Sequence, residues 1–184
     1  MIEPWKVEGN PWNTEGKFIT WIRGVLRKGW SKHPLKIEYI KRYRKRIKNP
    51  NEKASKRFPE VWGMTCECCK IDTVQAEIEI DHKGEQGKFT TLSEIYGYAK
   101  HLFMIDYDSI RAVCKNCHRI ISQSQRSGVS FEEAAIEKQI ISICSGDTAE
   151  LKIRLSEYGF SEQEMSNDKK RRDCVNRMLG KPQR

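Results

Sequence analysis

Cys66-Glu-Cys-Cys69 and, 44 residues further on, Cys114-Lys-Asn-Cys117-His118 enclose the segment Glu79-Ile80-Asp81-His82. Each C-x-x-C pair can turn two thiolates toward one ion, and two such pairs supply the four sulfurs of a tetrahedral zinc site. An Asp-His pair and a further histidine held beside such a clamp are the parts needed for metal-assisted phosphodiester cleavage. The separation of the two pairs is longer than that of a zinc ribbon, and Cys68 could compete for one of the four places. Buried or free thiols are the plain alternative. Cys144 and Cys174 stand in helical patterns and are expected to pack in a core.

Around this pattern the chain is lean in core-forming material, with 184 residues, 38% hydrophobic and 32% charged. A core of that size gains from a staple, and a bound metal would serve. No apolar run reaches the ~18 residues of a membrane span, and Met1-Ile-Glu-Pro-Trp-Lys does not read as a secretory signal. A cytoplasmic, reducing setting is therefore expected, in which seven cysteines serve as ligands or free thiols rather than as disulfides. The net charge of +9 is unevenly spread: +10 over residues 1–60, −6 over 61–167 and +5 over 168–184. Basic ends suit phosphate contacts and an acidic middle suits cation binding.

The segment Phe18-Ile-Thr-Trp-Ile-Arg-Gly-Val-Leu26 has helical apolar spacing. Pro34 opens a second predicted helix that runs through Ile47 and is stopped by Asn49-Pro50. On it Ile40, Tyr43 and Ile47 share a face, leaving Lys41, Arg42, Arg44, Lys45 and Arg46 to meet a nucleic-acid backbone. Residues 51–60 read as a basic loop. Glu77 to Ile80 alternates at period 2, a half-buried strand, with the first cysteine turn forming the tip of a short hairpin before it. Gly84 and Gly87 then break the strand. Thr91-Leu-Ser-Glu94, Ser130-Phe-Glu-Glu133 and Ser161-Glu-Gln-Glu164 read as capping boxes. The first opens a helix to about Phe103, and Asp106 to Ser109 is turn-like. Asn116 to Ser124 is a helix, and the C-terminal third is helical with Gly159 as a stop. The last helix carries Lys169, Lys170, Arg171 and Arg172, a second candidate nucleic-acid surface. A helix-turn-helix around Tyr158-Gly-Phe160 is the weaker option there and a plain helical appendage the stronger.

Taken together, Cys66-x-x-Cys69, Ile80-Asp81-His82 and Ser109-Ile-Arg-Ala-Val-Cys114-Lys-Asn-Cys117-His118 resemble the HNH endonucleases, in particular zinc-clamped phage-type and homing-endonuclease-like members. The likeness covers roughly residues 58–125, and the leader Phe18 to Trp30 with its basic helix also looks like that of phage members. The resemblance implies an α+β protein: a small ββα-metal core with a four-cysteine zinc clamp, flanked by N-terminal and C-terminal helices. It implies a basic DNA-binding extension over 1–57, a nuclease core over 58–127 and a helical region over 128–184. His82 would be the general base, Asp81 and His118 the ligands of a catalytic Mg²⁺ or Mn²⁺, and Cys66, Cys69, Cys114 and Cys117 the ligands of a structural zinc. The substrate would be double-stranded DNA, met in the host cytoplasm if a phage encodes the chain. Two positions depart from the family. Ser109, preceded by Asp108, stands where the middle Asn is expected, and Ile121-Ser122 replace Lys-Thr. Ser109 or Asp108 could hydrogen-bond the loop holding His82, and Asp108 could reach the ion. His33 and His101 have no assigned role.

Two further function classes fit the same residues. A zinc-stabilised DNA-binding or regulatory protein with a degenerate nuclease site would use the clamp and the basic ends alone. An RNA-directed nuclease would use the same charge on a different polymer.

Overall fold

A computed structural model describes residues 3–84 and 89–180. The expected break at Gly87 lies outside the described residues. The chain divides into two compact units, residues 1–118 and 119–184.

In the first unit, α1 (Glu15–Ser31) starts where the Thr14 hydroxyl accepts the Lys17 N–H at 3.3 Å, and it buries Ile19. Helix α2 (Pro34–Tyr43) opens on proline, whose fixed φ suits a first helical turn, and buries Tyr39. It then stops. Arg44 is extended (φ −69, ψ 145), and Lys45–Lys48 is strand β1, paired antiparallel with β2 (Glu60–Thr65). The helix expected through Ile47 is therefore four residues too long. Lys-Arg-Ile-Lys carries a single apolar residue, which a helical and an alternating pattern accommodate equally. The partner strand decides: Gly63 leaves the room that Ile47 needs, since a Cβ there would meet Ile47 Cγ1 at 2.8 Å and the Thr73 carbonyl at 2.7 Å. The expected boundary at 57/58 accordingly falls between two hydrogen-bonded strands. The basic loop of 51–60 contains a one-turn α3 (Glu52–Ser55), capped by Asn51.

Strand β3 (Asp72–Val74) completes an antiparallel sheet in the order β1-β2-β3. The β2–β3 hairpin carries the first cysteine turn at its tip, as the sequence predicts. Strands β4 (Ile78–His82) and β5 (Ile110–Cys114) form a second antiparallel pair, with Asp81 opposite Arg111 and His82 opposite Ile110. The Thr91–Glu94 capping box forms and leads through a 3₁₀ turn into α4 (Ile95–Phe103). Helix α5 (Lys115–Ser127) follows β5 without a loop. Tyr39, Met64, Ile80, Ile110 and Ala112 make the core of this unit.

The second unit contains α6 (Phe131–Cys144), α7 (Thr148–Glu157) and α8 (Asp168–Met178) around Ile140, Leu151, Leu155, Met165, Cys174 and Val175. Each large aliphatic side chain fully buried there contributes roughly 1.5–3 kcal/mol. Cys174 lies in this core with Cys144 against it, as expected. The Ser130–Glu133 box caps α6. The Ser161–Glu164 box forms its reciprocal hydrogen bonds, yet only a turn follows it, and α8 starts later, capped by Asn167. Gly159, at φ +89, ends α7 as predicted. The long turn between α7 and α8 leaves no tight helix-turn-helix around Tyr158-Gly-Phe160. No helix among the described residues is long and apolar enough to cross a membrane.

Candidate metal centre and hydrolytic site

Cys66 directly follows β2, Cys69 sits in the turn after it, Cys114 ends β5 and Cys117 lies in the first turn of α5. Their sulfurs all fall within 4.8 Å of one another. A tetrahedral zinc with Zn–S of ~2.3 Å needs sulfurs ~3.8 Å apart, so small side-chain adjustments close the site. The four cysteines can thus hold a structural metal ion such as zinc.

The turn is built for this. Lys70 adopts φ 61, the left-handed conformation that reverses the chain, while its N–H reaches the Cys66 carbonyl at 2.9 Å and the Cys66 N–H reaches Ile71 at 3.0 Å. The Cys66 sulfur accepts the Cys114 N–H at 3.3 Å, and the Cys114 sulfur accepts the Cys117 N–H at 3.4 Å. Burial pushes the Cys66 thiol up, but the backbone N–H groups of Cys114, Cys69 and Cys68 outweigh it and bring it down to about 6. Burial first, then the neighbouring sulfurs, push Cys117 up. Cys68, half-buried, stays outside the group of four.

The clamp fixes the first turn of α5 against β5, and so places His118. Its Nδ1 lies 2.7 Å from Glu79 Oε2 and its Nε2 lies 3.7 Å from Asp81 Oδ1. Glu79 and Asp81, two residues apart on β4, share the face turned to His118. Arg111, opposite Asp81, donates from Nε at 3.3 Å and from Nη2 at 3.2 Å to the other carboxylate oxygen, Oδ2. Neither Glu79 nor Arg111 was singled out from the sequence. The signal for Glu79 was present in the period-2 alternation that ends at Asp81. Arg111 becomes visible only once the strand register is known.

Two atoms bound to one Mg²⁺-like ion at ~2.1 Å can be no more than ~4.2 Å apart. The 3.7 Å between Asp81 and His118 meets that condition. If Nδ1 donates its proton to Glu79, the Nε2 lone pair is left facing Asp81, the arrangement that metal-binding histidines use.

His82 lies elsewhere. It is 2% exposed, on the opposite face of β4 from Asp81, with Nε2 3.2 Å from the Leu102 carbonyl. Its ring is 4.4 Å from Trp30 and 5.6 Å from His101. Burial is the main cause that lowers its pKa and so favours the neutral ring. Asp81 and His118 are therefore brought together, and His82 is not with them. His82 does line a cleft of about 550 Å³, together with Lys83, Lys100, His101, Asp108 and Ser109. Ser109 holds the end of the hairpin through its main chain, its carbonyl accepting the Lys83 N–H at 2.7 Å. Its hydroxyl is bonded to Asp106, not to the loop after His82.

The basic candidates separate in the same way. Lys41, Arg42 and Arg44 project from the end of α2, and Lys45 and Arg46 from β1. Lys45 pairs with Asp72 at 2.8 Å and Arg46 with Glu60 at 3.5 Å, both on the surface. On α8, Arg171 is bonded to Asp168 and to the Met165 carbonyl, Arg172 to Glu137, and Lys170 to the Gln163 carbonyl. Lys169 is exposed. Arg171 and Arg172 are thus tied within the second unit.

No family model matches the chain, and no curated protein or solved structure matches it significantly.

Proposed function

We propose that the protein is a metal-dependent endonuclease of HNH type that hydrolyses phosphodiester bonds in double-stranded DNA, with a phage or intron as its source. The observation that carries this proposal is the meeting of Asp81 and His118 across a hairpin and helix tied at their junction by four cysteines.

Asp81 Oδ1 and His118 Nε2 would hold the Mg²⁺ or Mn²⁺. When bound, such an ion supplies neutralising charge at the scissile phosphate and the leaving 3′ oxygen. Glu79 accepts the Nδ1 proton of His118 and keeps Nε2 free to coordinate. Arg111 holds Asp81 by Oδ2 and leaves Oδ1 toward His118. The base role that the resemblance gives His82 would require its ring to turn from its place beside Leu102 and Trp30 to the face of β4 that carries Asp81. Burial keeps it neutral, the form a base requires.

The test is nicking of supercoiled plasmid with added Mg²⁺ or Mn²⁺, using protein whose zinc content and fold match across variants. Asp81→Ala and His118→Ala are expected to lose cleavage by 100-fold or more, on the order of one transition-state contact. His82→Ala should do the same. Retained cutting by His82→Ala alone would move the base role to the His118–Glu79 pair. Equal cutting by all variants would sink the assignment.

One alternative has its own support. Arg111 already neutralises Asp81, and His82 is enclosed. Those features suit a zinc-stabilised DNA-binding protein without catalysis. It predicts metal-independent binding and no cleavage by the wild type. An RNA-directed nuclease would instead be revealed by RNA outcompeting duplex DNA.

A further inference from the structure

Arginines at alternate positions 42, 44 and 46 each lie over an aromatic ring. Arg42 is 5.2 Å from the centre of Tyr107 and 5.7 Å from that of Tyr43. Arg44 is 4.3 Å and Arg46 5.2 Å from the centre of Trp62. Trp62 stands directly opposite Arg46 in the β1–β2 register, on the same face, and is 42% exposed. Here it carries two guanidinium groups.

We propose that this arginine ladder is a phosphate track for one strand of duplex DNA, and that Trp62 belongs to it as the platform that orders Arg44 and Arg46. The inference rests on the reading of the protein as DNA-directed, and goes beyond it by assigning where and how the backbone is gripped.

Three features favour this occupant. Arg44 and Arg46 stand two residues apart on extended backbone, ~6.8 Å of strand, close to the separation of neighbouring phosphates along one winding DNA strand. Arg42, in the last turn of α2, stands beside them over Tyr107. Next, stacking on a ring holds the planar guanidinium in place while its N–H edge stays open to a bidentate acceptor. That edge is unclaimed by any hydrogen bond the structure gives for Arg44, while Arg46 donates from Nη2 to the Glu60 carbonyl at 3.0 Å and pairs through Nε with the Glu60 carboxylate at 3.5 Å, surface bonds that a phosphate would have to displace. Finally, single-strand binders offer bare aromatic faces to unstacked bases. The Trp62 ring instead has guanidinium groups over it, so it presents cations outward.

The experiment is titration of the zinc-loaded full chain with a labelled duplex oligonucleotide over a range of salt concentrations, without added Mg²⁺, alongside plasmid nicking on the same preparations. Arg44→Gln with Arg46→Gln should weaken binding and reduce the slope of log affinity against log salt by about 2. Trp62→Leu keeps every charge, so it should weaken binding about 5- to 10-fold with the slope unchanged. Arg44→Lys with Arg46→Lys should behave like Trp62→Leu, because ammonium groups keep the charge and lose the stack. Zinc content and the unfolding midpoint guard against a merely misfolded Trp62→Leu.

Wild-type affinity in Trp62→Leu, or an unchanged slope in the Arg44→Gln/Arg46→Gln pair, overturns the track. So does a single-stranded competitor that displaces the duplex at a tenth of its concentration. Nicking reports separately: a wild type that binds through the track without metal-dependent cutting leaves the track standing and removes the nuclease.

Discussion

Lys41 to Arg46 and Lys169 to Arg172 look alike as sequence, and the structure gives them different neighbours. In the first run, Arg42 and Arg44 lie over aromatic rings. In the second, Arg171 and Arg172 meet Asp168, Glu137 and a main-chain carbonyl of their own unit. A basic run therefore says little about nucleic acid until its acceptors are known. Acidic residues lie within reach of both, Asp72 and Glu60 beside the first and Asp168 and Glu137 beside the second, and what distinguishes them is the tyrosine and tryptophan rings under the first.

The largest expected effect separates the units themselves. Structural zinc contributes on the order of 10 kcal/mol to folding in small zinc domains. Cys117→Ser should therefore strip the metal and unfold much of residues 3–118, while the helices of 119–180, with their own apolar core, keep their hydrogen-exchange protection. DNA affinity should fall with the first unit. If affinity survives with the first unit unfolded, the second basic run does bind and the contrast collapses.

Next comes Gly63→Ala. The added methyl would crowd Ile47 and the Thr73 carbonyl, and overpacking of this kind costs about 1–3 kcal/mol. Because it displaces β1, it should lower both the unfolding midpoint and the DNA affinity, with zinc retained. Unchanged affinity would detach the ladder from its strand.

Arg172→Ala should cost about 1 kcal/mol at most, since its bond to Glu137 is half-exposed. Duplex affinity should stay within twofold of wild type. A tenfold loss would return α8 to the DNA surface.

The smallest effect concerns pH. The Ser161 N–H, the Arg177 guanidinium and the Ser161 hydroxyl hold Glu164 down at about 2, from an ordinary value near 4.5. A carboxylate depressed on folding stabilises the native state above its unfolded pKa, and that contribution is lost as pH falls toward the folded one. Urea midpoints of the wild type should decline between pH about 4.5 and 2, and Glu164→Gln should flatten that part of the decline. An identical acid limb in both proteins would mean that other groups set it.

Much of this was legible in the chain because it depends on near neighbours. The cysteine spacing, the Ser130–Glu133 and Thr91–Glu94 boxes and the Gly159 stop each involve residues a turn apart, and each appears where expected. What failed depends on distant partners. The strand Lys45–Lys48 exists because Val61 and Gly63 lie across from it. Ser161–Glu164 forms its box without a helix following. Asp81 and His82 are neighbours in sequence, whereas strand geometry groups Asp81 with Glu79, two residues away. The same geometry turns His82 away from Asp81, a separation that only the backbone continuing as a strand through His82 enforces.

The pairing of His82 with Ile110 has a consequence for what the protein can tolerate. The excursion from Lys83 to Ser109 leaves and re-enters at one point, pinned there by the Lys83–Ser109 hydrogen bond. Lengthening a tethered segment is cheap, with a doubling costing only about 0.6 kcal/mol. This stretch is thus a natural graft point. The cysteine clamp and the Asp81–His118 pair all lie outside it, so a module carried within this excursion would leave both untouched.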